Sequence, residues 1–276
     1  MRVLRTIAEV RRVLTPHRTG RGARGVGFVP TMGALHAGHA TLFAAARHDC
    51  ACVVASVFVN PTQFNDPGDL AAYPRQEARD AEIAAEAGVD VLFAPAVAEM
   101  YPADGATTVA VTGPALGFEG AHRPGHFDGV AIVCVKLFGI VQPTHAYFGQ
   151  KDAQQVAVLK RVVVDLALPL TLCVVPTVRE ADGVAMSSRN ARLSRDDRAR
   201  AAAIPRALRA GVAAYAQGGD VSAAARSALA GLDVVYAEVA TLDGHPTLVI
   251  AVRAGQTRLI DNVPLDQPAL AGISDA

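Results

Sequence analysis

The sequence has no surplus of either charge: 26 Lys and Arg residues offset 26 Asp and Glu, for a formal net charge of zero. Proteins that hold nucleic acid through many phosphate contacts normally carry a basic excess, so that class is disfavoured, although a local basic pocket is still allowed. The sequence also has no apolar run near the roughly 18 residues of a membrane span. Its longest candidate, Gly129 to Val141, is broken by Lys136. A soluble protein with no membrane partner is expected, and the cytoplasm is the expected location. Cysteine is scarce. Cys50, Cys52, Cys134 and Cys173 form no C-x-x-C pair, and no His stands at zinc-finger spacing. Reduced, buried thiols are the simplest reading, with Cys50 and Cys52 on one face of a strand. Arg2, Arg5, Arg11 and Arg12 are reminiscent of a transit peptide, but Glu9 is acidic and no Ser occurs there. Val3, Leu4, Ile7, Val10 and Leu14 recur at helical spacing and predict a first amphipathic helix.

What is present is a core. Of 276 residues, 51% are hydrophobic and 19% charged, the balance of a globular chain with one large domain or a large one and a smaller partner. Short β-branched runs alternate with helical patterns over the first two-thirds. Val26–Val29, Cys52–Val59, Val89–Phe93, His145–Phe148 and Leu170–Val175 predict buried strands. Ala40–His48, Arg75–Ala87, Gly129–Val141 and Ala153–Leu168 predict helices between them. Strands apolar on both faces and separated by helices imply a parallel sheet covered on both sides, with ligands at the carboxyl ends of its strands. After about Arg189 the pattern changes. Ser194 is placed to cap a helix, Pro205 must start, kink or end another, and Ser222–Leu232 predicts a third. Val234–Ala240 and Thr247–Val252, joined at Asp243–Gly244, predict a hairpin that Leu259–Val263 extends. The expected organisation is a catalytic α/β domain over residues 1–186 and a small α+β domain over 187–276.

Four segments carry chemistry. The first, Pro30-Thr31-Met32-Gly33-Ala34-Leu35-His36-Ala37-Gly38-His39, follows a strand and opens a helix. That geometry predicts free backbone N–H groups presented to a phosphate, with His36 and His39 as paired imidazole donors for charge developing in a displacement. The second, Ser56-Val57-Phe58-Val59-Asn60-Pro61-Thr62-Gln63-Phe64, hangs Gln63 over a strand's carboxyl edge. In the third, Tyr147-Phe148-Gly149-Gln150-Lys151-Asp152-Ala153-Gln154-Gln155, Lys151 lies near a helix start within reach of a phosphate. The fourth, Ala185-Met186-Ser187-Ser188-Arg189-Asn190, sets two hydroxyls beside a guanidinium, a group suited to triphosphate oxygens.

The H-x-G-H tetrad resembles the signature of the nucleotidylyltransferase superfamily, to which class I aminoacyl-tRNA synthetases also belong. Together with Arg123–Val130 and Asp182–Asn190, the four segments resemble the pantoate–β-alanine ligase family over essentially the whole chain. The resemblance implies a Rossmann-like, two-domain homodimer that uses ATP and Mg²⁺. The implied reaction joins (R)-pantoate to β-alanine through a pantoyl-adenylate, releasing pyrophosphate and AMP. It further implies that Met32 to His39, Gly149 to Asp152, Val178 and Met186 to Arg189 bind ATP, with His39, His36 and Lys151 catalytic. Gln63 and Gln155 would hold pantoate, Gln63 would also meet β-alanine, and Asp80 would lie near the metal. The family usually has Glu where Gln150 stands; with Lys151 and Asp152 kept, activity is expected to survive. Another H-x-G-H nucleotidylyltransferase acting on a different small acceptor is the alternative, and the paired glutamines disfavour it because they offer no cationic cluster for a phosphorylated acceptor.

Overall fold

Where successive residues are all apolar, a strand can survive only with both of its faces covered, and the central strands of the larger sheet of this protein are of that kind. The computed structural model describes residues 1–19 and 25–273. Its larger sheet comprises β1 (Arg2–Leu4), β2 (Val26–Thr31), β3 (Cys52–Val57), β4 (Val91–Phe93), β5 (His145–Gly149) and β6 (Thr171–Val175), in the order β1-β4-β3-β2-β5-β6. Phe28 is in parallel register with Val54 on one side and Ala146 on the other, and Val54 in turn with Val91. Val26, Phe28, Val29, Val53 and Val54 are each at most 1% exposed. Burying each such side chain favours folding by about 1.5–3 kcal/mol. The order reverses between β2 and β5, which is the topological switch point where open α/β sheets bind ligands.

Two compact units make up the chain. One comprises Met1–Leu35, His39–Phe148 and Ala157–Val174, the other His36–Gly38, Gly149–Val156 and the chain from Val175 onward. In the first unit the predicted helices are present as Ala37–Asp49, Glu77–Glu86 and His126–Val141, and the fourth, Ala153–Asp165, continues into it from the second. Phe138 on His126–Val141 meets Phe28 and Phe148 edge to face, at centroid distances of 6.4 and 6.5 Å. Burial pushes the Cys52 thiol up to about 11 and the Cys134 thiol up to about 12, so neither is a nucleophile near neutrality. All four cysteines are free, although Cys173 is only half-buried and Cys50 precedes the strand that Cys52 begins. Among the described residues no helix is long and apolar enough to cross a membrane.

The N-terminus differs from expectation. Val3 and Leu4 belong to β1, which pairs in parallel with β4, and the helix begins only at Ile7, running to Thr19. A capping box sets that start: the Thr6 hydroxyl accepts from the Glu9 amide at 3.3 Å, and the Glu9 carboxylate accepts from the Thr6 amide at 3.0 Å.

The second unit holds an antiparallel sheet of β7 (Asp233–Leu242), β8 (His245–Ala254) and β9 (Thr257–Pro264). Asp243 and Gly244 both have positive φ, 52° and 82°, the two-residue turn that matches strand twist. Ile204, Leu208, Leu229, Leu248, Ile250 and Val263 pack between this sheet and the helices Ala203–Ala216 and Val221–Ala228. Ser194 caps the helix Arg195–Ala201 by accepting from the Asp197 amide at 3.1 Å. Pro205 sits in the first turn of Ala203–Ala216, where its missing N–H costs nothing.

One glycine fixes how His126–Val141 meets the turn after β3. A Cβ on Gly129 would fall against the Thr62 carbonyl and 2.7 Å from Gln63 Cα. Helix propensity favours Ala over Gly by up to about 1 kcal/mol, whereas overpacking against backbone costs about 1–3 kcal/mol. Gly129→Ala is therefore expected to lower stability in urea denaturation; a more stable variant would show that the turn yields.

Candidate active site

In the first unit, the segment after β2 is held by side chains beneath it. The Thr31 hydroxyl donates to the Ser56 carbonyl at 2.6 Å and accepts from the Gly33 amide at 3.1 Å. The Asp80 carboxylate, 1% exposed, accepts from the Ala34 amide at 3.0 Å and the Leu35 amide at 2.8 Å. Gly38 donates its amide to His36 Nδ1 at 3.1 Å. The expectation that this segment offers free amides to a phosphate is thus corrected for Gly33, Ala34, Leu35 and Gly38. Side-chain acceptors on Thr31, Asp80 and His36 already take those hydrogens.

Gln63 ends the short 3₁₀ turn Pro61–Gln63 and is buried. Its Oε1 accepts from Asn60 Nδ2 at 2.9 Å, and its Nε2 donates to the Met32 sulfur at 3.2 Å. Asn60 is itself 1% exposed and fully engaged. Its Oδ1 accepts from the Tyr101 hydroxyl at 2.8 Å and the Thr62 hydroxyl at 2.9 Å, while Nδ2 also donates to the Gly129 carbonyl at 2.9 Å. The Gln63 carbonyl accepts from His126 Nδ1 at 2.8 Å, and Arg123 Nη1 lies 3.0 Å from His126 Nε2. With Nδ1 donating, Nε2 is the acceptor for Arg123, so the pattern describes a neutral His126. No site role for Asn60 or Tyr101 follows from the sequence alone, and His126 stands out there only within the Arg123–Val130 segment. The available signal was the Asn-Pro dipeptide at a strand's end, where an apolar run gives way to buried polar residues. His39 lies in the first unit, half-buried in the first turn of Ala37–Asp49.

In the second unit, His36 shares its surroundings with Lys151, Asp152 and Glu180. Burial, then the Lys151 charge, lower the His36 pKa from its ordinary 6.5, and the Asp152 and Glu180 charges offset part of this. Its Nδ1 accepts from Gly38, so the neutral ring carries its proton on Nε2 as a donor. Lys151 and Asp152 stand in the turn Gln150–Asp152, with Nζ 3.8 Å from the Asp152 carboxylate. Asn262, 3% exposed, fixes that turn by donating to the carbonyls of Gln150 at 3.0 Å and Lys151 at 2.8 Å. Gln150 Nε2 donates back to Asn262 Oδ1 at 3.0 Å, a bond an ionised Glu could not donate. Gln155 is half-buried in the first turn of Ala153–Asp165.

Met186 donates its amide to the Val178 carbonyl at 2.9 Å, and the Ser187 hydroxyl accepts from the Arg189 amide at 3.2 Å. Asn190 ties this loop down through Glu180 at 2.6 Å and the Ala185 carbonyl at 3.0 Å. Arg198 holds Glu180 in turn at 2.6 Å. Ser187, Ser188 and Arg189 are all partly exposed.

The donors for a metal are less complete. Both Asp80 oxygens already accept amide hydrogens in a buried setting, and among the described residues no group of three His, Cys, Asp or Glu is placed to hold a metal ion. Asp80, with both oxygens engaged, does not fit the metal role, and the described residues form no group of three that would make a built magnesium site.

The family model described as Pantoate-beta-alanine ligase matches residues 2–264. The chain belongs to the pantoate–β-alanine ligase family. A pantothenate synthetase of Agrobacterium fabrum is 50% identical over 281 residues, covering 95% of each chain. One from Cereibacter sphaeroides is 48% identical over 278 residues, covering 95% of this chain and 99% of its own. The crystal structure of pantothenate synthetase from Thermus thermophilus superposes with a TM-score of 0.90 at 46% identity, covering 96% of this chain and 99% of its own. A pantoate-beta-alanine ligase from Francisella tularensis, complexed with beta-gamma ATP and beta-alanine, gives 0.82 at 34% identity, covering 96% and 98%. The α/β fold with a smaller antiparallel sheet is thus that of ligases in this family.

The depressed pKa of His36 has a signed consequence. As pH falls below 6.5, the unfolded chain protonates at this position before the folded chain does. The unfolded state then binds more protons, so this group's contribution to stability falls with pH until the folded imidazole protonates as well. NMR titration of His36 is expected to show a midpoint below 6.5. His36→Gln should flatten part of the acid-side loss of stability. A midpoint at or above the ordinary value contradicts the assignment.

Proposed function

We propose that this chain condenses (R)-pantoate with β-alanine at the expense of ATP, through a pantoyl-adenylate, giving pantothenate, AMP and pyrophosphate. The observation that supports this most directly is Gln63, a neutral amide with its oxygen held by buried Asn60 and its nitrogen turned toward Met32. Family membership over residues 2–264 supplies the reaction class.

In the first half-reaction the pantoate carboxylate attacks the α-phosphorus and pyrophosphate leaves. A bidentate Arg clamp would stabilise the ground-state carboxylate and blunt its attack, whereas neutral amides orient it and leave its charge available. Gln63 and Gln155 are assigned that role, and Gln63 also meets β-alanine. Negative charge meanwhile moves toward the departing pyrophosphate, where fixed donors are most effective. His39, neutral His36 through its Nε2–H, and the Lys151 ammonium are assigned to the phosphates. The loop Met186–Arg189 contributes hydroxyls and a guanidinium. The rest of Met32–His39, Gly149–Asp152 and Val178 complete the ATP site through atoms other than the amides already engaged.

In the second half-reaction the β-alanine amine attacks the acyl carbon, AMP leaves, and the amine loses a proton. Magnesium is proposed to enter on the nucleotide's own phosphates. A homodimer in the cytoplasm is the proposed state, and its mass in solution checks the assembly.

Purified protein with ATP, Mg²⁺ and pantoate is expected to exchange labelled pyrophosphate into ATP without β-alanine, and to form pantothenate and AMP once it is added. ADP and phosphate as products would overturn the adenylate route. His39→Ala is expected to lower kcat about 10²-fold or more. Gln155→Ala should act mainly on the KM for pantoate; an unaltered pantoate dependence removes its assigned role.

A further inference from the structure

We propose that Asp80 is a positioning residue for this reaction, fixing through two backbone amides the loop that joins β2 to the H-x-G-H histidines, and that this rather than metal ligation is its role. The proposal rests on the functional reading above and adds a residue that acts through the backbone it holds.

The carboxylate is buried on the helix Glu77–Glu86, with one oxygen on each of two successive amides. Those amides belong to a strained stretch. Gly33 has φ +82° and Ala34, which is not glycine, has φ +52°. An L-residue in that region is strained, and it persists only where its surroundings over-determine it. Asp80 supplies that determination. The fit also explains Gly33, since a Cβ there would come 2.7 Å from Asp80 Oδ2 and 3.0 Å from Val57 Cγ1.

Thr31 pins the other end of the same loop to β3. Between the two pins sits Met32, whose sulfur receives the Gln63 amide. After the second pin comes His36 by covalent continuity. Turning the carboxylate toward a metal would strip two buried amides of the acceptor they hold, at the desolvation cost of each.

Two experiments test the assignment. In the wild-type protein, hydrogen exchange at the Ala34 and Leu35 amides is expected to be slow and unaltered by millimolar Mg²⁺ without nucleotide. Fast exchange, or amide signals that move with Mg²⁺ alone, would overturn it. In variants, Asp80→Asn keeps the volume and one acceptor, and Asp80→Ala keeps neither. Pyrophosphate exchange is expected to fall in kcat by about 10²-fold for Ala, as expected for an ångström-scale misplacement, and by less for Asn. The Mg²⁺ concentration for half-maximal rate should stay at the wild-type value in Asp80→Asn. A many-fold rise in that concentration would return Asp80 to the metal. Wild-type protein that shows protected amides but no pantoate-dependent exchange would overturn the functional reading while leaving the clamp intact.

Discussion

A carboxylate sealed from water must find its hydrogen bonds within the protein, and Asp80 finds them in the Ala34 and Leu35 amides. Much of the first unit's chemistry follows from that bond. A strand leading through glycine into a helix is a ready-made anion site, and here an internal anion already takes two of its amides. The protein gains a fixed loop and gives up part of a backbone cradle. Under the proposed function, recognition of a nucleotide's phosphates is assigned to side chains: Lys151 in the turn after β5, and Ser187, Ser188 and Arg189 in a loop tied down by Asn190.

The same rule governs the acid-orienting side. Asn60 lies at 1% exposure with both ends of its amide engaged, which leaves it a single orientation. Gln63 inherits that orientation through its Oε1, and His126 fixes its backbone from behind. Every group in this relay except Arg123 is neutral. In the role proposed for Gln63, a neutral relay would hold direction without lowering the reactivity of an attacking carboxylate, which a buried charge beside it would change.

Hydrophobic periodicity made most of the architecture legible. The doubly apolar runs at Val26, Cys52 and His145 could only be covered strands, and the Asp243–Gly244 turn could only close a hairpin. The N-terminus was misread because apolar spacing outweighed the local Thr6-x-x-Glu9 signal, which marks the helix start four residues after Val3 has entered a strand. Within the candidate site, residue types that carry charge or imidazole stood out in the sequence. Asn60, Tyr101, Asn262 and the clamping function of Asp80 did not. Their roles depend on pairings 41 to 112 residues apart, such as Asn60 with Tyr101 and Gln150 with Asn262, which no local pattern encodes.

Gln150 shows how such a distant pairing changes the meaning of a local departure. Beside Lys151 and Asp152, a neutral residue where the family usually has an acid looks like a loss of charge at the phosphates. Its side chain instead faces Asn262, buried, in a reciprocal pair that shapes the turn carrying Lys151. A glutamine satisfies this pair as a donor, and it adds no negative charge beside a lysine assigned to a polyanion. His36 fits the same logic. Burial and the Lys151 charge favour its neutral form, whose proton the bond from Gly38 leaves on Nε2. In the role proposed for it, a neutral imidazole would donate a hydrogen bond to a phosphate oxygen without giving up a proton it would have to recover.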